Sequence, residues 1–374
     1  MTDTQAMLRD SLQRYLDEQY GFEARLRALA AALHEPPQLW RGLANDLGIL
    51  GASLPEHWGG LGGGVSENQL IMEILGGALA GEPYLSTVVI GGGLLRRVGG
   101  SMAESLIPRI IDGGVVFAFA HVEPPGYFDL ADIRTTLSLE DGILCLNGRK
   151  AVVHGAPWAT HLIVTARSRG ASSDGLSALL IDRDLPGVVM REYPTRDGGR
   201  AAEIRFDAVR VGRNALLGEE GAALPLLEAV IDEATLAVCA EAVGVMRRLM
   251  SDTLEYARER KQFGVPLASF QALQHRMADM FMALEQADAL TQSVASCLDR
   301  LGAQRGRAVS SAKVAVSRAC RKVGQGAVQI HGAMGMTEEL AIGHYFRRAT
   351  VIESLFGSID YHLHRYERLG ATLA

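Results

Sequence analysis

The chain has 374 residues, 48% of them hydrophobic and 21% charged, and a formal net charge of −6. This balance excludes a disordered chain and a general nucleic-acid binder, and the length exceeds what one hydrophobic core ordinarily serves. Residues 1–114 read as helices, because apolar residues recur at helical spacing in MLRDSLQRYL, RLRALAAALH, LWRGLANDLGIL and ENQLIMEILGGAL. The glycines of HWGGLGGG lack the flanking strand of a nucleotide fingerprint and are expected to form a flexible loop. Apolar runs such as STVVIGGGLL are too short and too rich in glycine to cross a membrane, and the N-terminus has no signal-like apolar stretch.

The character changes at Val115. Through residue 215 come short runs rich in β-branched residues, VVFAFAHV, ILCLNGRKAVV, THLIVTARS, SALLIDR, GVVMREY and AAEIRFDAVRV. Turn signals EDG, NGR, SSDG and RDGG separate them, which predicts a middle β-domain of antiparallel type. From residue 216 to 374 the pattern is helical again. Three long apolar-striped segments, beginning at PLLEAVIDEA, LASFQALQHR and RAVSSAKVAV, predict a helical bundle. The organisation is therefore α+β and multidomain, with an N-terminal helical domain (1–114), a middle antiparallel β-domain (115–215) and a C-terminal four-helix bundle (216–374).

Cys145, Cys239, Cys297 and Cys320 have neither metal-like nor disulfide-like spacing and are expected to be reduced core residues of a cytoplasmic protein. The ten histidines show no paired helical spacing that would suggest a metal site. His362 and His364 are expected on a solvated terminal helix, and Glu233 is expected at the surface.

The corner RERKQFGVPLASFQ, residues 258–271, carries more hydrogen-bonding capacity than a helical hairpin needs. With SLPEHWGGLG before it and AVQIHGAMGMTEE after it, it gives the chain a resemblance to the acyl-CoA dehydrogenase family that covers nearly the whole sequence. CAEAVGVM and GHYFRRATVIESLFGSIDYHL look most like the small subunits of two-component members such as pimeloyl-CoA dehydrogenase. The resemblance implies a flavoprotein in which a glutamate takes the α-proton of an acyl-CoA and FAD takes the β-hydride. It also implies an FAD shared between two subunits, with the pyrophosphate and adenine against the neighbour's bundle.

On that resemblance, Arg260 is the guanidinium for the pyrophosphate, whose two charges suit a planar, multidentate cation. Gln262 and Phe263 belong to the same corner, and Leu267, Phe270, Gln271 and Leu273 continue the match along the next helix. Gln329 and Ala333 match the adenine-side segment. The half that would hold the flavin ring is altered: in HVEPPGYFD, Glu123 and Pro124 match, but Pro125, Gly126, Tyr127 and Phe128 replace the family's small residues. In VVHGA, His154 stands where the family has a threonine, with two roles open, a hydrogen bond to the flavin or the capping of a turn.

The family's base position is Phe356, and its alternative position on the first bundle helix is Ala234; neither residue can abstract a proton. Glu241 lies on the helical face of Ala234 and Val238, and burial would raise its pKa towards that of a base. Its other reading is a hydrogen bond to a neighbouring group or partner subunit. Glu353 is the second candidate base.

Three functions follow as expectations. The first is a subunit of a hetero-oligomeric acyl-CoA dehydrogenase, completing the FAD site of a second dehydrogenase subunit that carries the glutamate. The second is a homo-oligomeric enzyme with Glu241 or Glu353 as a relocated base, and the third is a CoA-thioester-binding scaffold without redox chemistry. The resemblance also implies a tetramer, an acyl-CoA substrate (dicarboxylic or ring-bearing) and an electron-transfer flavoprotein as acceptor, with neither nucleic acid nor membrane as a partner.

Overall fold

The computed structural model describes residues 2–31, 36–124, 128–140, 142–168, 175–298 and 303–371. It divides into two compact units. One comprises Met1–Leu26, Val65–Ala80 and Thr235–Ala374, and the other comprises Arg27–Gly64 and Gly81–Ala234. Helices α1 (Asp3–Gln19), α2 (Phe22–Ala31), α3 (Gln38–Asn45), α4 (Val65–Gly77), α5 (Gly93–Val98) and α6 (Gly100–Ile111) precede the sheet, with a π-helix, Leu85–Gly92, leading into α5. After the sheet come α7 (Leu224–Glu259), α8 (Gln271–Ala295), α9 (Ala303–His331), α10 (Ala341–Ser354) and α11 (Ile359–Ala371).

In the first unit, α1 starts at a capping box in which Thr2 and Gln5 satisfy each other's backbone amides. Helices α4 and α7 meet backbone to backbone. A Cβ at Gly244 would lie 1.8 Å from the Glu73 carbonyl oxygen, and one at Gly76 would lie 2.2 Å from that of Glu241. Only glycine permits that approach. His362 is buried, contrary to the solvated helix expected, with Nδ1 3.2 Å from the Ser310 hydroxyl. Its contact with Ser310 of α9 is what turns it inward, while His364 stays exposed.

The second unit holds a sheet of β1 (Phe117–Ala120), β2 (Thr136–Glu140), β3 (Ile143–His154), β4 (His161–Ser168), β5 (Leu176–Asp182), β6 (Val188–Pro194) and β7 (Arg200–Val211). β5 and β7 lie towards opposite ends, and β1 and β2 share one edge of β4. Both of those pairings are parallel, so the sheet is mixed rather than antiparallel throughout. The short strand β2 carries too little apolar signal to be read from sequence. The NGR signal is not a turn either: it lies inside β3, opposite a bulge at Ala208 (φ +48°) whose amide donates to Asn147 Oδ1 at 2.8 Å.

The HWGGLGGG segment is fixed rather than flexible. Amides of Gly60, Leu61, Gly62 and Gly63 donate to carbonyls of Pro55, Gly51, Leu54 and Ala52. Glu233 is buried rather than at the surface, and Arg96 and Arg97 both donate to its carboxylate. Two arginines adjacent in sequence near the end of α5 are what make that burial tolerable.

His121, in the second unit, and His362, in the first, are both held by burial at a pKa of about 3 against an ordinary value of 6.5. Each stays neutral when folded and takes up a proton on unfolding below pH 6.5, so stability should fall as the pH drops through that value. Each histidine should contribute about 1.4 kcal/mol per pH unit. Urea titrations at pH 7 and 5.5 would measure this, and His362→Gln should flatten the slope of the first unit.

Candidate active site and cofactor corner

The corner after α7 is a small β-hairpin. β8 (Lys261–Gln262) pairs with β9 (Val265–Pro266), placing Gln262 opposite Val265. The two turn residues, Phe263 and Gly264, both have positive φ, +54° and +84°, as a type I′ turn requires. Glycine accepts this freely, whereas phenylalanine is strained by roughly 1–2 kcal/mol. Phe263 is also 92% exposed, touching Phe270 only edge-on with ring centroids 6.3 Å apart. Arg258, Arg260 and Lys261 are exposed as well, and among the described residues their side chains have no hydrogen-bonding or ionic partner.

Leu267 sits in the 3₁₀ turn Leu267–Ser269, Phe270 is the N-cap of α8, and Gln271 and Leu273 occupy its first turn. Gln329 lies in the last turn of α9, and Ala333 in the 3₁₀ helix Gly332–Met336 that follows it. The structure brings these two corners together. Tyr256, one helical turn before Arg260, stacks on His331 at 4.2 Å and 22°. Its backbone oxygen accepts the Arg260 amide at 2.8 Å.

In the second unit, the segments of Glu123 and His154 are also joined, because the Ala151 amide donates to the Val122 carbonyl at 2.7 Å. A bulge in β3 makes this possible, with Val152 at φ +51°; His154 ends the strand opposite Ala201. The Glu123 carboxylate is spent inside the chain. It accepts Lys150 Nζ at 2.7 Å and the amides of Arg134 and Thr135 at 2.7 and 3.0 Å. Burial alone would raise its pKa, but the Lys150 charge and these hydrogen bonds hold it below the ordinary carboxylate value. Pro125, Gly126 and Tyr127 lie outside the described residues.

At the other end of the first unit, Phe356 and Gly357 form a turn between α10 and α11, with φ +57° and +136°. A Cβ at Gly357 would lie 2.5 Å from the Tyr361 ring. Glu353, just before the turn, is held by Arg321 through both nitrogen and oxygen pairs. Glu241 is 4% exposed, and the Arg348 guanidinium grips it with two parallel hydrogen bonds, Nε to Oε1 at 2.5 Å and Nη2 to Oε2 at 2.9 Å. Both oxygens of each candidate base are therefore occupied by an arginine. Ala234 is fully buried.

The chain matches the acyl-CoA dehydrogenase N-terminal domain over residues 2–113, the middle domain over 118–209 and the C-terminal domain over 224–368. It belongs to the acyl-CoA dehydrogenase family. Acyl-CoA dehydrogenase FadE12 of Mycobacterium tuberculosis is 31% identical over 335 residues, covering 86% of this chain and 84% of its own length. The Tcur3481–Tcur3483 steroid ACAD, in a variant form, is 28% identical with a TM-score of 0.88, covering 99% of this chain and 98% of its own. The fold is shared equally by a chain of the ChsE4–ChsE5 complex from Mycobacterium tuberculosis, at 24% identity, TM-score 0.89 and coverage of 99% and 98%.

Within this acyl-CoA dehydrogenase chain, three of the five non-glycine residues with positive φ among the described residues, Val152, Phe263 and Phe356, fall in segments that the sequence motifs single out. Sequence reasoning missed Lys150, which is 0% exposed and donates to Glu123, to the His121 carbonyl at 3.2 Å and to Thr165 Oγ1 at 3.1 Å. It also missed Lys313, buried with Nζ donating to the Ile352 and Glu353 carbonyls at 2.6 and 3.2 Å, where it caps the C-terminus of α10. Nothing in a lone lysine within a β-rich or helical run announces its burial. Among the described residues no His, Cys, Asp or Glu group could hold a metal ion, and no helix is long and apolar enough to cross a membrane.

Proposed function

We propose that this chain acts in FAD-dependent α,β-dehydrogenation of an acyl-CoA as the flavin-completing subunit of a hetero-oligomer, with the catalytic glutamate on its partner. The observation that carries the reading is the unspent corner of Arg260 and Phe263. A strained, almost fully exposed phenylalanine beside three cations without a partner among the described residues costs an isolated chain stability and solubility, and it suits a surface covered by another chain and its dinucleotide. The donor set there fits a pyrophosphate: Arg260 would hold it, Gln262 and Phe263 would flank it, and Gln329 and Ala333 would face the adenine.

The ring-side half fits a flavin less well, since the Glu123 carboxylate is committed to Lys150 and two amides. Acceptance of the β-hydride is the chemistry that bound FAD supplies. This chain's own residues orient the cofactor's anionic part and exclude water from it. Removal of the α-proton is left to a partner, because Phe356 and Ala234 hold no proton acceptor and Glu241 and Glu353 are ion-paired. The likeness to a steroid ACAD supports a ring-bearing acyl-CoA as the substrate class to try first.

The test is the visible absorption of the chain purified alone, with flavin counted per chain. A colourless protein that takes up FAD only with a second dehydrogenase subunit is expected. About one FAD per chain in the isolated protein, with turnover of an acyl-CoA, would overturn the reading. The strain at the hairpin gives a second expectation. Phe263→Asn creates an Asn-Gly turn and should stabilise the isolated chain by about 1 kcal/mol in chemical denaturation while weakening assembly with the partner.

A further inference from the structure

We propose that Lys150 is a positioning residue: it fixes the neck where residues 121–123 meet residues 134–135, so that this part of the ring-side region is preformed for a ligand. The inference rests on reading residues 121–155 as the ring-side half of a dehydrogenase site. Glu123 stands at one side of the neck, and Arg134 and Thr135 at the other, their amides donating to its two carboxylate oxygens. A single carboxylate therefore joins the two sides of the neck. Lys150 reaches that carboxylate from β3 and also takes the carbonyl of His121, while the next amide, Ala151, takes the carbonyl of Val122.

The segment after β1 is in this way stapled to β3 at two successive carbonyls, and the residues before β2 are tied to Glu123. Thr165 on β4 completes the cluster, with its hydroxyl 3.1 Å from Lys150 Nζ and 3.0 Å from His121 Nδ1. Lys150 has three donors, and each has a partner. A packing lysine would need no such arrangement. The residue after β1 and the middle of β4 meet at one ammonium, which is linked through Glu123 to the residue before β2, and the result is a neck with no freedom of its own.

Hydrogen exchange of the full chain tests this, comparing peptides that cover residues 128–135 and 149–153 with peptides from β6 and β7. Lys150→Met should accelerate exchange at the neck by roughly 10- to 100-fold and leave β6 and β7 unchanged. If that variant fails to fold, the double variant Lys150→Met/Glu123→Gln removes both charges together and should fold with the neck still accelerated. Unchanged protection at the neck, or equal acceleration in every strand, would overturn the proposal. The ring-side reading has its own arm. Butyryl-CoA and FAD, each added to the wild-type chain, should slow exchange in residues 128–135. Should neither do so while the variants still loosen the neck, the ligand reading of the segment fails and the clamp stands.

Discussion

Arg260→Ala should lower the affinity of the assembled complex for FAD by roughly 10- to 100-fold, the equivalent of one charge-assisted contact to a phosphate. The same substitution should leave the folding of this chain unchanged within about 0.5 kcal/mol, because the side chain is exposed and has no partner among the described residues. That separation is what makes the variant informative. A residue that stabilised the hairpin would shift the denaturation midpoint of the isolated chain, whereas one serving another chain's cofactor shifts only the flavin titration. Arg260→Lys should recover part of the affinity, since it restores charge without the planar fork. Unaltered FAD binding in the alanine variant would remove the corner from the cofactor site.

Glu241→Gln carries the second large effect, and it is on stability. The carboxylate and the Arg348 guanidinium meet between α7 and α10, and removing the carboxylate charge takes the ion pair from a guanidinium that is only 23% exposed. A loss of about 3–5 kcal/mol is expected in denaturant titration of the first unit. Turnover per folded complex should nevertheless stay within about twofold, because the carboxylate is committed through both oxygens to holding Arg348. A general base would cost on the order of 10²- to 10⁴-fold when neutralised. A drop of that size in the folded variant would restore Glu241 as the base and displace the partner's glutamate from the mechanism.

The two expectations draw on different parts of the molecule. Arg260 stands out in the sequence because its neighbours form a long motif, and the exposed hairpin beside it follows locally from two turn residues with positive φ. The state of Glu241 was not legible. Its spacing from Ala234 and Val238 placed it on a particular face of a helix, but the residue that decides its chemistry is 107 positions away. The same holds for Glu353, whose arginine is on α9. Carboxylates that looked available in the sequence are occupied in the fold, and the reason in each case is a long-range guanidinium.

What the sequence determined by itself is the order of helical, β and helical regions and the motifs at their corners. Those are set by periodicity, by turn residues and by short stretches whose partners lie close along the chain. What only the tertiary structure decided is where charge is paired. It buried Lys150 against Glu123, Glu233 between Arg96 and Arg97, and His362 against Ser310, and it made the middle sheet mixed by laying β1 and β2 beside β4. Desolvation and ion pairing depend on what arrives from elsewhere in the chain. Local pattern carries no record of it.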